Sequence, residues 1–521
     1  TGGAVRIDSG EGTASSSGSV MVNTANAGAS GASGRLVFSI PLYLREPTIR
    51  ALPDFGERHA EFIEACLSEL KQELVAKGSN LLILDMDALD ALQWVFSHFP
   101  FQAIYAHEET GNEATYTRDK AVSAWCDERG VVFEEYSQNG VQRRLQSRDG
   151  WARVWHQRMS QPIVEEPALL PEFPRPLIEA GESISLPAAR RNHQVGGRRR
   201  AVDTLESFLL ERGRAYHREM SSPRSAETSC SRLSSYLSYG CVSMREVVQT
   251  AEMRRLAIKE SGSRAFPMRP ISSFLSRCHW HCHFMQKLES EPEIESHCFN
   301  RACDDLRPRK VNQVKLDAFQ AGETGYPFLD ACIRFLDARG WINFRMRAMI
   351  TSFAAYNLWI DWRDFKDWLA CQFQDYEPGI HYSQLQMQSG VTGINTLRIY
   401  SVVKQAYDHD PKGVFVRKWV PELAGVPDSY IHEPWKLSIA DQDKHGARLG
   451  SLYPMPIVDF PESVKHARAK FAQLRRDSRY WEEGERVKEK HASRKNQEPR
   501  PRKPRKQSGK EQLEFPLTSD E

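Results

Sequence analysis

Between Arg35 and Gln161 short, wholly apolar runs alternate with amphipathic stretches. The runs Leu36-Val37-Phe38-Ser39-Ile40, Leu81-Leu82-Ile83-Leu84, Ala103-Ile104-Tyr105-Ala106 and Val131-Val132-Phe133 are too continuous for one-sided strands. Such runs fit buried parallel strands covered on both faces. Between the first two, Phe62, Ile63, Cys66, Leu67, Leu70 and Leu74 recur at helical spacing, and Lys77-Gly78 supplies a stop. Arg118 to Arg129 predicts a further crossover helix. This order predicts an α/β, doubly wound parallel-sheet domain.

From about Val202 the pattern changes to helix after helix. Thr204 to Arg218, Met244 to Lys259, Ser272 to Leu288, Tyr326 to Ala338, Phe344 to Ile360 and Trp362 to Gln374 read as helices with mixed apolar faces. Pro162 to Glu182 holds five prolines and several acids, the composition of an extended connector. The expected organisation is a disordered Gly/Ser/Ala-rich leader at 1–34, the α/β domain at 35–161, a linker at 162–201, a mainly α-helical domain at 202–485 and a basic disordered tail at 486–521.

With 521 residues, 40% of them hydrophobic, the chain has material for two cores. No run of about 18 apolar residues is present, so no transmembrane helix or membrane partner is expected. Ten cysteines lie scattered among periodic segments, which suits a reducing compartment and thiols rather than a disulfide framework. The net charge of +2 does not mark a nucleic-acid binder. The local charge of Lys488 to Lys510 reads as a solvated tail, or as a phosphate-contacting arm or nuclear-import signal. The setting is then cytoplasmic in a bacterium, or nuclear if the tail is read by an import system.

Neither a G-x-G-x-x-G nor a G-x-x-x-x-G-K-[ST] turn marks the first domain as a phosphate site. Chemistry concentrates in two later segments. Thr228 to Leu237 is dense in hydroxyls, which cap a helix or offer donors to an anion. Gly340 to Glu377 places Arg347 within an apolar helix, and a buried cation needs a carboxylate; Asp375 is the candidate. Such a pair either ties two helices together or sits beside a redox ring. Cys278, His281 and Cys282 share a helix but lack a second ligand group, so no metal is expected.

Ser231-Arg232-Leu233-Ser234-Ser235-Tyr236-Leu237 resembles the S-R-L-S-x-Y-L signature of photolyases and cryptochromes. Thr324 to Ala331 is similar to their T-G-x-P-x-x-D-A, Phe415 to Leu423 to F-[IV]-R-x-W-[LV]-P-E-L, and His432 to Trp435 to H-E-P-W. Ala106 to Asn112, followed by Arg118-Asp119, matches the first domain of that family. The resemblance implies FAD, its diphosphate held by Ser231, Arg232, Leu233 and Ser234, with Tyr216 against the nucleotide. Cys230, Arg277, Phe344, Tyr376 and Glu377 complete the implied cofactor site. Arg347 and Asp375 are implied as the pair beside the flavin, and with His381 as the groups that tune it. Arg277, Trp280, Arg345 and Gln405 are implied contacts to DNA.

The resemblance therefore implies a blue-light-dependent photolyase-like monomer that repairs pyrimidine dimers in damaged DNA by electron transfer from reduced flavin. A cryptochrome-like photoreceptor without repair activity is the alternative. Departures bear on that choice. Ser39 to Leu44 replaces R-x-D-L-R, leaving a second, antenna chromophore open, with Glu108 and Glu109 at its border. His381 stands where an asparagine lies near flavin N5. Of the family's three electron-transfer tryptophans only Trp362 is kept; Leu385 and Phe319 replace the others. Ser276 and Cys278 replace a lesion-stacking tryptophan and a glutamate. No cysteine follows Cys371, which excludes the iron–sulfur branch.

Overall fold

A computed structural model describes residues 20–26, 36–137, 139–177, 179–184, 193–262, 266–395 and 397–493. All four predicted strands form: β2 (Leu36–Leu44), β3 (Leu82–Leu84), β4 (Ala103–His107) and β5 (Val132–Tyr136). A further strand, β1 (Val20–Asn26), lies between β2 and β4 in the order β3-β2-β1-β4-β5. It runs antiparallel to both neighbours, so the four predicted strands share one direction. The leader expectation fails at this point. The Gly/Ser bias of residues 1–34 hid the short β-prone run Val20-Met21-Val22-Asn23-Thr24, and the rest of that stretch lies outside the described residues.

The first crossover helix spans Glu57–Ala76 and ends at Lys77, as its apolar spacing predicts. The next predicted one spans Glu113–Arg129: Asn112 accepts from the Thr115 N–H, and Gly130 at φ 65° closes the end. In the connector, the helix Arg198–Leu210 begins inside the range expected to be linker. The helices Met244–Ser261, Met268–Ser290 and Pro327–Arg339 match their predicted positions closely.

The predicted helix from Phe344 to Ile360 does not run through. Phe344–Ser352 is α-helical, Phe353–Asn357 is a π-helical turn, and Trp359 sits at φ 58°. Arg307 accounts for the break: its Nε donates to the Ala355 carbonyl at 2.9 Å, the acceptor Trp359 N–H would use in a continued α-helix. The Arg307 guanidinium also lies 4.9 Å from the Trp359 ring centroid.

Two of the family-like motifs are scaffold. Buried Asp330 accepts from the Thr324 N–H (2.9 Å), the Thr324 hydroxyl (2.6 Å), the Gly325 N–H (3.0 Å) and the Tyr453 hydroxyl. Burial pushes its carboxyl up to about 6 despite these donors. Gly325, at φ 79°, lies so close to the Met455 carbonyl that a side chain has no room. In the second motif, Asp410 accepts from the N–H groups of Phe415 and Val416, and His432 donates to the Asp410 carbonyl at 2.7 Å. Around them a large core gathers Phe328, Phe335, Phe353, Trp362 and Phe365.

The last described helix, Ser478–His491, overruns the expected start of a disordered tail at 486. Glu291 is the reason. Its buried carboxylate meets His491 Nε2 at 2.7 Å, Arg301 and Arg486 at 3.2 Å and Lys490 at 3.3 Å. Burial alone would raise this carboxyl; the hydrogen bond and charge of His491, with Arg486 and Lys490, bring it down to about 2. A carboxyl lowered in the folded state stabilises above its unfolded value of about 4.3 and loses that contribution as pH falls toward 2. Glu291→Gln is expected to loosen Ser478–His491, read as faster hydrogen exchange in that helix. It should also flatten the loss of stability between about pH 4 and pH 2 seen in acid titration of the native protein.

Candidate functional site

The hydroxyl-rich stretch Thr228 to Leu237 is not an over-capped helix. It covers the end of the helix Pro223–Ser229, a loop, and the short helix Ser234–Ser238, whose N-cap Leu233 offers no side-chain acceptor. Thr228 and Ser229 hydroxyls both donate to the Ser225 carbonyl. In the loop Arg232 adopts φ 60°, a left-handed conformation rare outside glycine. Arg212, which carried no signal in the sequence, donates to the carbonyls of Thr228, Cys230 and Ser231. With those carbonyls tied to one guanidinium, the loop is fixed from one side.

Asp375 lies opposite this loop, between the helix Lys366–Gln372 and the helix Pro378–Ser389. Arg347 Nη2 grips both carboxylate oxygens, at 2.8 and 3.0 Å. Burial alone would raise the Asp375 carboxyl. Arg347, by charge and hydrogen bond, together with the Ser234 hydroxyl and Arg232, holds it below the ordinary value. Asp375 is 4% exposed and Arg347 25%, so the pair faces an opening on the arginine side. The Arg347 guanidinium also lies over Phe373, 4.2 Å from its centroid.

Further groups converge on the same place. The Arg232 guanidinium stacks 3.9 Å from the Trp341 ring centroid, and burial lowers it to about 10. The Cys230 thiol, pushed up to about 12 by burial, is within the fields of Arg232, Arg212, Arg347 and Arg277. Buried Tyr216 hydrogen-bonds with Arg277. Tyr216, Cys230, Arg232, Ser234, Arg277, Arg347 and Asp375 are thus brought together. Phe344 is 55% exposed at the start of its helix, and Arg345, next to it, is close to His409, one turn beyond Gln405. Asn343 donates to the Met220 and Ser221 carbonyls at 2.9 Å and so fixes this rim.

Other predicted residues point elsewhere. Tyr376 turns away from the arginines: its hydroxyl donates to Asp54 at 2.6 Å, and its ring stacks on His59. It joins the two halves of the chain rather than lining the opening, because Asp54 offers a buried acceptor. His381 Nε2 bonds the Lys366 carbonyl at 2.9 Å, and burial lowers the imidazole to about 4, so it is neutral at pH 7. Glu377 is buried beside Glu109, and burial first, then that second carboxyl, pushes it up to about 8. On the helix Met268–Ser290, Arg277 is exposed, while Trp280 stacks on Phe284 at 5.7 Å. Cys278 faces the core. Trp362 is buried 6.5 Å from the Tyr382 ring, and Leu385 and Phe319 are buried near it.

Residues 274–473 match the FAD binding domain of DNA photolyase, and residues 23–143 match the DNA photolyase domain, together more than half of the chain. The chain belongs to the photolyase/cryptochrome family. It is 27% identical over 444 residues to cryptochrome DASH of Gloeobacter violaceus, covering 78% of this chain and 84% of that one. It is 26% identical to a deoxyribodipyrimidine photo-lyase of Alkalihalophilus pseudofirmus, over 78% of this chain and 87% of the relative. A class III photolyase from Agrobacterium tumefaciens shares the fold with a TM-score of 0.73 at 24% identity, over 84% of this chain and 92% of that one. Its photolyase/cryptochrome relatives carry both names, so membership leaves repair and light sensing open. Among the described residues no helix is long and apolar enough to cross a membrane.

The strap 193–197, within the expected linker, was missed as part of the site. Gln194 Nε2 donates to the Arg232 carbonyl at 2.8 Å, and Gln374 donates to the Gln194 carbonyl at 2.9 Å. No local pattern marks a backbone-to-side-chain lace between residues 38 and 180 positions apart.

Removing the Asp375 carboxylate should leave Arg347 partly buried and unpaired. Asp375→Ala is expected to cost about 3 kcal/mol in urea denaturation, and Arg347→Met combined with Asp375→Leu to recover most of it. Equal losses in the single and double variants would show that the pair is not the interaction that matters.

Proposed function

We propose that the loop 230–234 and the pair Arg347–Asp375 hold FAD, and that the protein is a blue-light-dependent photolyase acting on pyrimidine dimers. The carrying observation is a buried cation with no carboxylate in salt-bridge contact among the described residues. Arg232 is held in a strained loop, its Nη1 is buried with no hydrogen-bond partner, and burial disfavours its charge. A diphosphate supplies both the partner and the charge. Ser235 Oγ and Asn343 Oδ1, on either side of the same opening, are likewise buried without a hydrogen-bond partner, as fits a site that takes a polar ligand. The match to the FAD binding domain of DNA photolyase supports the same cofactor.

In this reading Ser231, Arg232 and Ser234 bind the diphosphate, with Cys230 and Leu233 shaping the loop and Tyr216 packing by the nucleotide. Reduced FAD, when bound, supplies an electron to the lesion under blue light and takes it back after the ring bonds break. Arg347 sets a positive charge next to the cofactor and Asp375 fixes its direction. Neutral His381 keeps Nε2 on the Lys366 carbonyl, which leaves Nδ1 as the nitrogen open to a proton. Arg277, Arg345 and Gln405 stand at the rim as contacts for a flipped-out base. Tyr382, 6.5 Å from Trp362 and with its hydroxyl 3.4 Å from that of Tyr376, offers an electron route in place of the missing tryptophans.

A photoreceptor without repair is the second reading, favoured by the lesion side of the site. Cys278 is in the core, Ser276 offers no stacking face, and Trp280 is already stacked on Phe284. The loss of one stacking contact costs about 1–3 kcal/mol. Blue-light repair of a cyclobutane dimer and of a (6-4) product by the purified, externally reduced protein separates the two. Repair of either supports the photolyase; no repair of both, with flavin bound and reduced, leaves the receptor.

Two variants test the parts. Arg232→Met should purify with at least tenfold less flavin at unchanged folding, read from the absorbance ratio and circular dichroism; full occupancy would remove Arg232 from the cofactor site. Trp362→Phe should slow photoreduction by an external donor at least tenfold while leaving flavin content unchanged. An unaltered rate would place the electron route elsewhere.

A further inference from the structure

Cys66 and Cys241 are 175 residues apart in sequence, yet their sulfurs lie 3.4 Å from each other. Cys66 sits on the helix Glu57–Ala76 of the α/β half, and Cys241 in the turn between the helices Ser234–Ser238 and Met244–Ser261 of the helical half. The strap 193–197 is wedged beside them. Gly196 is so close that a Cβ there would lie 2.5 Å from the Cys66 sulfur, and the Gly197 N–H is a hydrogen-bond donor to both sulfurs. Tyr236 donates to the Val195 carbonyl at 3.0 Å and Glu69 accepts from the Arg199 N–H at 2.8 Å, so the strap is held from both halves. Ala65, Ser68, Glu69, Val195 and Gly196 also line a cavity of about 490 Å³, which gives a small solute a way to the neighbourhood of half-buried Cys66.

We propose that Cys66 and Cys241 form a reversible disulfide under peroxide, a latch that fastens the first crossover helix to the Ser234–Ser238 turn across the strap. The sulfurs need to approach by only about 1.4 Å to reach bonding distance of about 2.05 Å. The two thiols are not equivalent. The Gly197 N–H donates to both sulfurs, and the hydrogen bond from Cys66 lowers Cys241 despite its burial whereas burial raises Cys66, so of the adjoining pair Cys241 more readily supplies the attacking thiolate.

The chemistry closes. Cys241 thiolate attacks hydrogen peroxide, the O–O bond breaks, and Cys241 becomes a sulfenic acid with release of hydroxide. The hydroxide takes the Cys66 proton and leaves as the first water. Cys66 thiolate attacks the Cys241 sulfur, the S–OH bond breaks, and the departing hydroxide takes up the proton Cys241 first gave to solvent, leaving as the second water. Two thiols lose two electrons and two protons, and the peroxide is reduced to two waters. A dithiol reductant reverses the bond by exchange.

Oxidation bears on the strap more than on the core. Its Gln194 holds the Arg232 carbonyl, so a bond that clamps both flanks of the strap also steadies the loop around Arg232. The disulfide itself is independent of the flavin reading and stands or falls without it.

The experiment uses the full chain, reduced and then exposed to a small excess of hydrogen peroxide. Differential alkylation and non-reducing peptide mass spectrometry should show one Cys66–Cys241 crosslinked peptide, a loss of about 2 Da, reversed by dithiothreitol. Hydrogen exchange at 193–197 should slow at least severalfold on oxidation. Cys66→Ser and Cys241→Ser should each abolish the crosslink; should either misfold, the wild-type alkylation pattern alone decides. Both thiols still open to alkylation after peroxide, or oxidised singly to sulfinic acid with no crosslink, would overturn the proposal. A crosslink with unchanged exchange at 193–197 would overturn its role as a latch.

Discussion

The site depends on keeping charges out of water and answering them locally. Asp375 is buried, and Arg347 and Arg232, with the Ser234 hydroxyl, hold its carboxyl below the ordinary value. The arginines are answered less completely: Arg347 has its carboxylate, while Arg232 has an aromatic face and the more distant Asp375 and Glu227. Burying an ion costs several kcal/mol unless partners repay it, and replacing such pairs by apolar groups is often no loss to folding. A chain that sets two arginines around one carboxylate is therefore keeping positive potential for something other than its own stability. An anionic cofactor is the economical answer, and it explains the left-handed Arg232 and its unpaired nitrogen together.

The rest of the helical half can be read as the support for that charge arrangement. Arg212 pins the carbonyls of the loop, Asn343 pins the segment before it, and Gln374 and Gln194 lace the loop to the strap. Each of these bonds joins a side chain to a backbone carbonyl. Such bonds place a loop without regular secondary structure, where no ladder is available to do it. The motif Thr324 to Ala331 uses the converse bond: the Asp330 carboxylate accepts from the N–H groups of Thr324 and Gly325. Part of what makes the family visible in this sequence is thus a set of buried turns rather than a set of reacting groups.

That distinction decides what was legible. The helices Met244–Ser261 and Pro327–Arg339 were readable because their apolar period and their closing glycines, Gly262 and Gly340, are local. The pairing of Arg347 with Asp375 followed from the cost of a lone buried cation. The π-helical turn at Phe353 was not readable, because its cause, Arg307, is 48 residues from the carbonyl it takes. Tyr376 was expected at the cofactor and instead meets Asp54, 322 residues away. Strand β1 was hidden by composition. Local chemistry is written in order along the chain; contacts made by folding are not.

Replacing two tryptophans by Leu385 and Phe319 keeps the core filled, since both are buried in the cluster around Trp362, yet removes two oxidisable rings. Packing therefore did not force the loss. Trp362 Nε1 now donates to the Cys298 sulfur, and its ring edge meets Tyr382, whose hydroxyl lies near that of Tyr376. A tyrosine gives up an electron readily only when its proton has somewhere to go. Here the Tyr376 hydroxyl donates to a side-chain acceptor, Asp54 Oδ2, at 2.6 Å. Tyr382 and Tyr376 thus link the surroundings of Trp362 to Asp54 of the α/β half. Electron delivery in this protein would then be sensitive to how the two halves are held together, which the tryptophan route, lying within the helical half, would not be.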